Sequence, residues 1–183
     1  GTGGHNGVLV EFDYDVEHYK LELKVDPTAR QLTGTCTMTA KSLKASLAKA
    51  AVDLYSNMTV SAVSMPSGPA AFTRPTNQVL ITLDRAYGLG ERFETTIAYS
   101  GRPTSGGWGS FGFDSHSGQP IVWSLSQPWW GKTWWPNKDQ LADKSTAEIW
   151  LTVPDTLYAV SNGKLMGVDP AGAGWQRFRW QVH

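Results

Sequence analysis

Four of the chain's nine tryptophans lie in one short segment, residues 124–139. They form two adjacent pairs, Trp129 with Trp130 and Trp134 with Trp135. Exposed aromatic rings on a β sandwich are suited to stacking on sugar rings, whereas a buried tryptophan removes about 150–250 Å² of surface from water. The residue types therefore leave two interpretations open, a carbohydrate-binding surface or core packing.

Other residues that could do chemistry are sparse. The histidines His5, His18, His116 and His183 share no metal-ligand spacing, and the chain contains no HExxH and no Cys-x-x-Cys. Asp114 and His116 flank a serine in FDSHSG, a combination that could belong to a hydrolase triad, but no nucleophile-elbow motif accompanies them. We interpret FDSHSG as an exposed polar loop and expect no catalytic residue in this chain.

The elements that must position these residues are β-strands. In YKLELKV, the apolar residues Tyr19, Leu21, Leu23 and Val25 alternate with charged ones, which is the period of a half-buried antiparallel strand. LTGTCTMTA alternates in the same way after a turn that contains Pro27, so the two segments predict a hairpin.

Similar patterns continue along the chain. Further strand candidates are AVDLY, VSAVSM, QVLITL, RFETTIAYSG, IVWSLS, AEIWLTVP, YAVSNGKL and WQRFRWQV. Residues 41–51 allow either a short helix or a strand, and the glycine-rich residues 101–118 predict irregular structure. Strands that recur roughly every 10 to 15 residues predict an all-β sandwich or barrel.

Composition bounds the partners and the domain organisation. With 16 basic and 16 acidic residues, the chain has no charge signature for nucleic acid or an anionic membrane, and no apolar run is long enough for a membrane helix. The single cysteine, Cys36, excludes an internal disulfide, and the compartment stays undetermined. We expect a flexible leader or expression remnant over residues 1–13 and one β domain over 14–183. WQRFRWQVH ends inside a strand pattern, so we expect that domain to be truncated at its C-terminal end.

A set of closely spaced motifs lies in residues 127–165: Gln127-Pro128, Trp135-Pro136, Asp139, Asp143-Lys144-Ser145-Thr146, Val153-Pro154 and Val160-Ser161-Asn162-Gly163. In these motifs the segment resembles the N-terminal domain of the aminopeptidase N family, whose members are zinc metallopeptidases of the gluzincin group. The opening YDVEHYKLELKVDPTARQLTGTCTM resembles the start of the same domain, so the resemblance extends over residues 14–181.

This resemblance implies a fold and a partner. The family's N-terminal domain is an antiparallel β sandwich or saddle, and a short helix or two could occupy its loops. It packs against a catalytic domain that holds one zinc ion through HExxH and a distant glutamate. Because those motifs are absent here, we expect this chain to bind no cofactor and to be inactive alone. Its expected partners are its own catalytic domain and the N-terminus of a peptide substrate.

The resemblance also implies one substrate-binding residue, Gln127. In the family, the residue before this proline accepts a hydrogen bond from the substrate's free α-ammonium group, which has donors only. Most members carry glutamate at this position, whereas Gln127 has one acceptor oxygen and no charge. Pro128 favours an extended backbone at Gln127. Trp129 and Trp130 are candidate neighbours of the pocket for the first substrate side chain.

The remaining motif residues are expected to be structural. The resemblance places Trp135-Pro136 in the interior near the domain interface, with Trp134 in the same packing. We expect Asp139 and Asp143-Lys144 to make structural hydrogen bonds and ion pairs rather than to take part in chemistry, and exposed pairs of that kind contribute about 0–1 kcal/mol. Two alternatives remain for the chain as a whole, a carbohydrate-binding module that uses the tryptophan pairs and a scaffold or partner-docking domain in which Gln127 is inert.

Overall fold

The structure is a computed structural model that describes residues 9–106, 109–127, 129–140 and 142–183, with the backbone alone for residues 9 and 10. The described residues form 13 strands and two 3-10 turns, and none of them forms an α-helix, so the expected all-β class is confirmed. No helix in these ranges is long and apolar enough to span a membrane. The strands are β1 (Tyr14–Asp26), β2 (Gln31–Ser42), β3 (Leu47–Asp53), β4 (Met58–Met65), β5 (Gly68–Pro69), β6 (Phe72–Thr73), β7 (Gln78–Tyr87), β8 (Arg92–Gly101), β9 (Phe111–His116), β10 (Gln119–Ser124), β11 (Thr146–Pro154), β12 (Lys164–Pro170) and β13 (Trp175–Val182).

The first two strands form the predicted hairpin. β1 and β2 are antiparallel, with Leu21 opposite Cys36 and Leu23 opposite Gly34. Their apolar residues alternate with polar ones and are buried, because one face of the pair covers the core while the other face meets water. Residues 41–51 form no helix, because β2 continues to Ser42 and β3 begins at Leu47 after a short loop.

The hairpin lies in the middle of an eight-stranded sheet with the order β12-β13-β11-β1-β2-β8-β4-β5. Within it, β1 and β11 run parallel, with Leu21 opposite Ile149 and Leu23 opposite Leu151. The chain between β10 and β11, residues 125–145, is here called the crossing segment. It lies across the inner face of the sheet, where the Cys36 thiol donates to the Pro136 carbonyl over 3.3 Å.

A smaller sheet of β3, β7 and β6 packs on the same hydrophobic core. The Tyr14 hydroxyl joins the two sheets by donating to the Ala51 carbonyl. The crossing segment is attached to this second sheet as well, because Asp53 and Asn137 exchange backbone hydrogen bonds of 2.7 and 3.1 Å. The crossing segment is therefore attached to both of these sheets, and β9 with β10 forms a third, two-stranded sheet.

Two strand predictions need correction. Residues 101–118 are not irregular throughout, because β9 begins at Phe111 and pairs with β10. Only two apolar residues alternate there, so the strand is defined by its partner rather than by its own pattern. In YAVSNGKL the strand begins only at Lys164, since Gly163 has φ +87° and a Cβ there would lie 2.1 Å from the Gln181 carbonyl oxygen.

The N-terminal end of the domain also differs from the expected leader over residues 1–13. Residues 1–8 lie outside the described part, but Leu9–Phe12 form a 3-10 turn in which Glu11 is only 1% exposed. The Gln78 amide donates to the Glu11 carboxyl group and, over 3.2 Å, to Asp53. Burial and the negative charge of Asp53 raise the pKa of Glu11 to about 8. Glu11 is thus packed into the domain, which corrects the C-terminal end of the expected leader.

Candidate functional site

The loop that carries Gln127 follows the end of β10 and opens the crossing segment. The Leu125 N–H donates to the Ser110 carbonyl and the Trp130 N–H donates to the Ser126 carbonyl, each over 2.9 Å. The second bond closes a turn with Gln127 inside it. Gln127 is therefore held by backbone hydrogen bonds on both sides rather than lying in a strand.

The side chain of Gln127 is exposed and lines a groove of about 1130 Å³. Its carboxamide makes no hydrogen bond to any residue in the described ranges. One acceptor oxygen and one NH₂ donor group are thus available to a ligand. Pro128, which we expected to extend the backbone of Gln127, lies outside the described residues.

Four parts of the chain form the walls of this groove, and one of them is the β9–β10 hairpin with Phe111 and residues 120–124. The inner faces of β1 and β11 supply aliphatic side chains, among them Leu23 and Leu151, and the crossing segment supplies Trp134 and Trp135. Residues 157–162, which lie between β11 and β12, form the third wall. The parallel pairing of β1 with β11 brings these distant parts together, because it places the end of β11 beside the inner face of β1.

Large apolar side chains that line the groove are exposed in two parts of the chain, here called the rims of the groove. In and just after β10, Ile121 and Trp123 are each 41% exposed and Leu125 is 48% exposed. In residues 157–162, Tyr158 is 68% and Val160 is 73% exposed. Clustered exposed apolar groups mark interaction surfaces, so both rims are suited to being covered by another protein surface.

The first tryptophan pair does not line the groove. Trp129 is 40% exposed, and Trp130 packs edge-on against Tyr55 with ring centroids 6.4 Å apart. A Cβ on Gly106 would lie 2.2 Å from the Trp130 ring, so that glycine allows close packing there. Trp129 and Trp130 are therefore close to Gln127 in the sequence, but neither lines the groove, and Trp130 packs against Tyr55 instead.

The second tryptophan pair packs against the core. Trp135 meets Tyr19 edge-on, with centroids 5.0 Å apart and an interplanar angle of 87°. Trp134 lies 5.6 Å from Phe111 and 5.9 Å from Trp135. Its indole N–H also donates to the Ser126 hydroxyl over 2.8 Å. These contacts hold the crossing segment against β1 and the β9–β10 hairpin.

The ion pairs of the crossing segment correct our expectation of exposed pairs. Asp143 pairs with Lys138 rather than with Lys144, and these two side chains are only 7% and 8% exposed. Asp139 pairs with Lys132 over 3.4 Å, at 10% and 17% exposure. Local spacing suggested surface pairs, but packing of the segment on β1 buries both. Loss of one partner therefore leaves a charge in a poorly solvated site.

Few of the described residues are candidate metal ligands or nucleophiles. No group of three or more histidine, cysteine, aspartate or glutamate side chains in these ranges could hold a metal ion. Burial raises the pKa of the Cys36 thiol far above its usual range, so its nucleophilic thiolate is not populated. Asp114 and His116 are exposed at the end of β9 rather than in a loop. Among the polar side chains that line the groove are the carboxamides of Gln127, Asn137 and Asn162, and its walls are largely apolar.

Some residues of the groove were not predicted from the residues alone. Leu157 and Tyr158 form part of the third wall together with Val160, Ser161 and Asn162. The last three belong to a motif that carries the family resemblance, which was the available signal. No feature of the sequence indicated that Ser126 lines the groove, because a serine in a loop has many possible partners.

The family model described as the peptidase M1 N-terminal domain matches residues 15–182 of this chain. A search of curated proteins found no match. Among solved structures, the chain is similar to a substituted M1 zinc metallopeptidase from Deinococcus radiodurans bound to a Tyr-Ser-Ala substrate. The two are 25% identical with a TM-score of 0.81, over 92% of this chain and 39% of that one.

A second similar structure is a substituted two-domain M1 zinc metallopeptidase bound to L-tryptophan. Its identity to this chain is 26% and its TM-score 0.81, over 93% of this chain and 40% of the other. The chain therefore spans about two fifths of the length of these two proteins.

Proposed function

The chain belongs to the peptidase M1 N-terminal domain family, and we propose that it serves a zinc aminopeptidase in two ways. It supports the catalytic domain, and through Gln127 it accepts a hydrogen bond from the free α-ammonium group of the substrate. The observation that carries the second role is the exposed carboxamide of Gln127, which has no partner in the described ranges and stands on a turn closed by backbone hydrogen bonds.

The catalytic domain is the partner that best fits the exposed rims of the groove. Tyr158 and Val160 on one rim and Leu125 on the other expose apolar surface that a covering domain would remove from water. The two similar structures, of which this chain covers about two fifths, are M1 zinc metallopeptidases, and one is described as a two-domain protein. A docked domain would then bring its substrate groove alongside Gln127.

The chemistry of an α-ammonium group suits Gln127. An ammonium has three donors and no acceptor, so its recognition requires oxygen atoms such as the Gln127 Oε1. The similar proteins are described with a Tyr-Ser-Ala substrate and with L-tryptophan, and both molecules carry a free α-ammonium group. A neutral amide attracts that charge less strongly than the carboxylate that most family members use.

In this proposal the hydrolytic chemistry belongs to the catalytic domain. A zinc ion bound there would activate the water that cleaves the N-terminal peptide bond. Gln127 would orient the substrate by its ammonium group, and the apolar groove walls would limit the access of water. Both contributions are binding roles, and we expect the chain alone to be inactive.

The test uses the full-length protein and an aminoacyl anilide substrate. Gln127→Ala should lower kcat/KM by about tenfold or more, because a hydrogen bond to a charged group is lost. Gln127→Glu should raise the preference for a free over a blocked amino terminus. Gln31→Ala is the matched control, since Gln31 is an exposed glutamine that does not line the groove. An unchanged kcat/KM for Gln127→Ala would refute the recognition role.

The carbohydrate-binding alternative remains a prediction with a separate test. Of the four tryptophans in the two pairs, only Trp129 is among the exposed large apolar residues. A carbohydrate-binding module should show a change of tryptophan fluorescence on titration with soluble polysaccharides, whereas an aminopeptidase domain should show none.

A further inference from the structure

The residue next to Gln127 is held by a side chain from the far end of the same loop. The Trp134 indole N–H donates to the Ser126 hydroxyl over 2.8 Å. Indole nitrogen is a donor only, so the direction of this bond is fixed. The bond spans eight residues and fixes Ser126 relative to the crossing segment. Ser126 precedes Gln127 directly, so its position sets where the Gln127 side chain begins.

A second set of hydrogen bonds, made by Ser110 and Thr133, supports the same turn. The hydroxyl groups of Ser110 and Thr133 are 2.8 Å apart, and the Thr133 hydroxyl donates to the Trp130 carbonyl over 2.8 Å. Ser110 and Thr133 are both fully buried. Because the backbone carbonyl of Ser110 accepts the Leu125 N–H, these hydrogen bonds reach both ends of the turn around Gln127. A satisfied buried network of this kind rigidifies the backbone it joins.

Trp134 is itself immobilised by rings that lead back to the main sheet. It packs on Phe111 of β9 and on Trp135, and Trp135 packs on Tyr19 of β1. A continuous set of packed rings thus connects β1 with the indole that holds Ser126. Ring packing restricts the rotamers of Trp134, so its N–H occupies a fixed position beside the turn.

We infer that Trp134 is a positioning residue for substrate recognition, which it performs by fixing Ser126 so that the backbone of Gln127, and with it the start of its side chain, is held in one position. This inference rests on the proposed role of Gln127. Trp134 itself contacts no substrate in this scheme. Recognition by one hydrogen bond depends on pre-organisation, because a freely moving acceptor must lose conformational freedom when the ligand binds. The tie between Trp134 and Ser126 reduces that cost before the substrate arrives.

The experiment uses the full-length protein with two competitive inhibitors, an amino acid and its des-amino analogue. Trp134→Phe keeps an aromatic ring for packing but removes the N–H, and it should weaken binding of the amino acid about threefold to tenfold. Binding of the des-amino analogue should be unchanged, because it has no ammonium group. A merely structural role would weaken both inhibitors alike and would overturn the inference.

Variants of Ser126 provide the reciprocal test. Ser126→Ala removes the acceptor and should reproduce the effect of Trp134→Phe, whereas Ser126→Thr keeps the hydroxyl and should retain most of the amino acid affinity. In a Gln127→Ala background, Trp134→Phe should cause no further loss, since it acts only through Gln127. Additive losses in that background would overturn the positioning role.

The outcomes separate this inference from the proposed function on which it rests. If Gln127→Ala weakens amino acid binding but Trp134→Phe and Ser126→Ala behave as wild type, the positioning role is wrong and the recognition role stands. If Gln127→Ala has no effect, the recognition role fails and the positioning role fails with it.

Discussion

The free energy of unfolding of the wild-type chain should fall as the pH rises from about 5 to about 8, and replacing Glu11 with glutamine should remove this loss. Burial and the charge of Asp53 raise the pKa of Glu11 from 4.5 to about 8. Between these two values the folded chain holds a proton that the unfolded chain has released. The free energy of unfolding therefore falls as the pH rises through this range, and it levels off above the folded-state pKa.

The structure sets an upper limit to this loss. The two pKa values differ by about 3.5 units (8 minus 4.5), and each unit corresponds to about 1.4 kcal/mol, so the limit is about 5 kcal/mol. Glu11 lies on a four-residue 3-10 turn at the edge of the domain, and detachment of that turn would let the carboxylate reach water. Because such local opening limits the penalty, we expect a loss of about 2–3 kcal/mol.

The assay is urea unfolding followed by tryptophan fluorescence at several pH values between 5 and 8.5. The free energy of wild type minus that of Glu11→Gln should fall by the expected amount across this range. Histidine titration is common to both proteins and cancels in the difference. Glu91→Gln is the control, since a hydrogen bond from Arg85 lowers the pKa of Glu91 and keeps it ionised throughout. A difference between wild type and Glu11→Gln that does not change with pH would refute the reasoning.

Two further predictions concern the crossing segment and the groove rim. Asp143→Asn should lower the free energy of unfolding by about 3 kcal/mol, because it leaves the Lys138 ammonium buried without its counter-charge. Arg85→Ala, which breaks an exposed ion pair, should lower it by less than about 1 kcal/mol. Equal effects of the two variants in urea unfolding would contradict the burial of the Asp143–Lys138 pair. Val160→Asp should leave the melting temperature of this chain unchanged but lower that of the full-length protein. Leu89→Asp, at a residue equally exposed at 73% but outside the groove, should lower neither, and a full-length protein insensitive to Val160→Asp would contradict coverage of this rim.

Local pattern was sufficient for the parts of the fold that depend on neighbouring residues. The alternation of Leu21 and Leu23 with charged residues predicts β1, and Pro27 marks the turn to β2. Burial of one strand face imposes that period directly, so the sequence carries the signal. β9 has no comparable pattern after Phe113, and it is a strand because β10 supplies its hydrogen-bond partners.

The groove and the buried ion pairs depend on contacts between distant residues. Parallel pairing of β1 with β11 joins residues more than 120 positions apart, such as Leu21 and Ile149, and the alternation within either strand is the same for any partner. The pairing of Asp143 with Lys138 follows from the same packing, because the Lys138 ammonium also donates to the Tyr14 carbonyl of β1 over 2.6 Å. The sequence analysis assigned no partner to Asp143, because the position of the crossing segment on β1 cannot be read from residue spacing.

The choice of glutamine at position 127 has a physical consequence in the proposed complex. When two domains close over a polar group, that group loses its water, and a carboxylate costs far more to desolvate than a neutral amide. Gln127 therefore attracts an ammonium less strongly than glutamate would, but it also loses less when the groove is covered. Its weaker attraction increases the value of a fixed position of the Gln127 backbone, because a single hydrogen bond from an ammonium to one amide oxygen weakens when it is misaligned. The hydrogen bond from Trp134 to Ser126 and the packing of Trp134 on Trp135 hold the loop in place. In the proposed complex, this fixed loop compensates in part for the missing charge at Gln127.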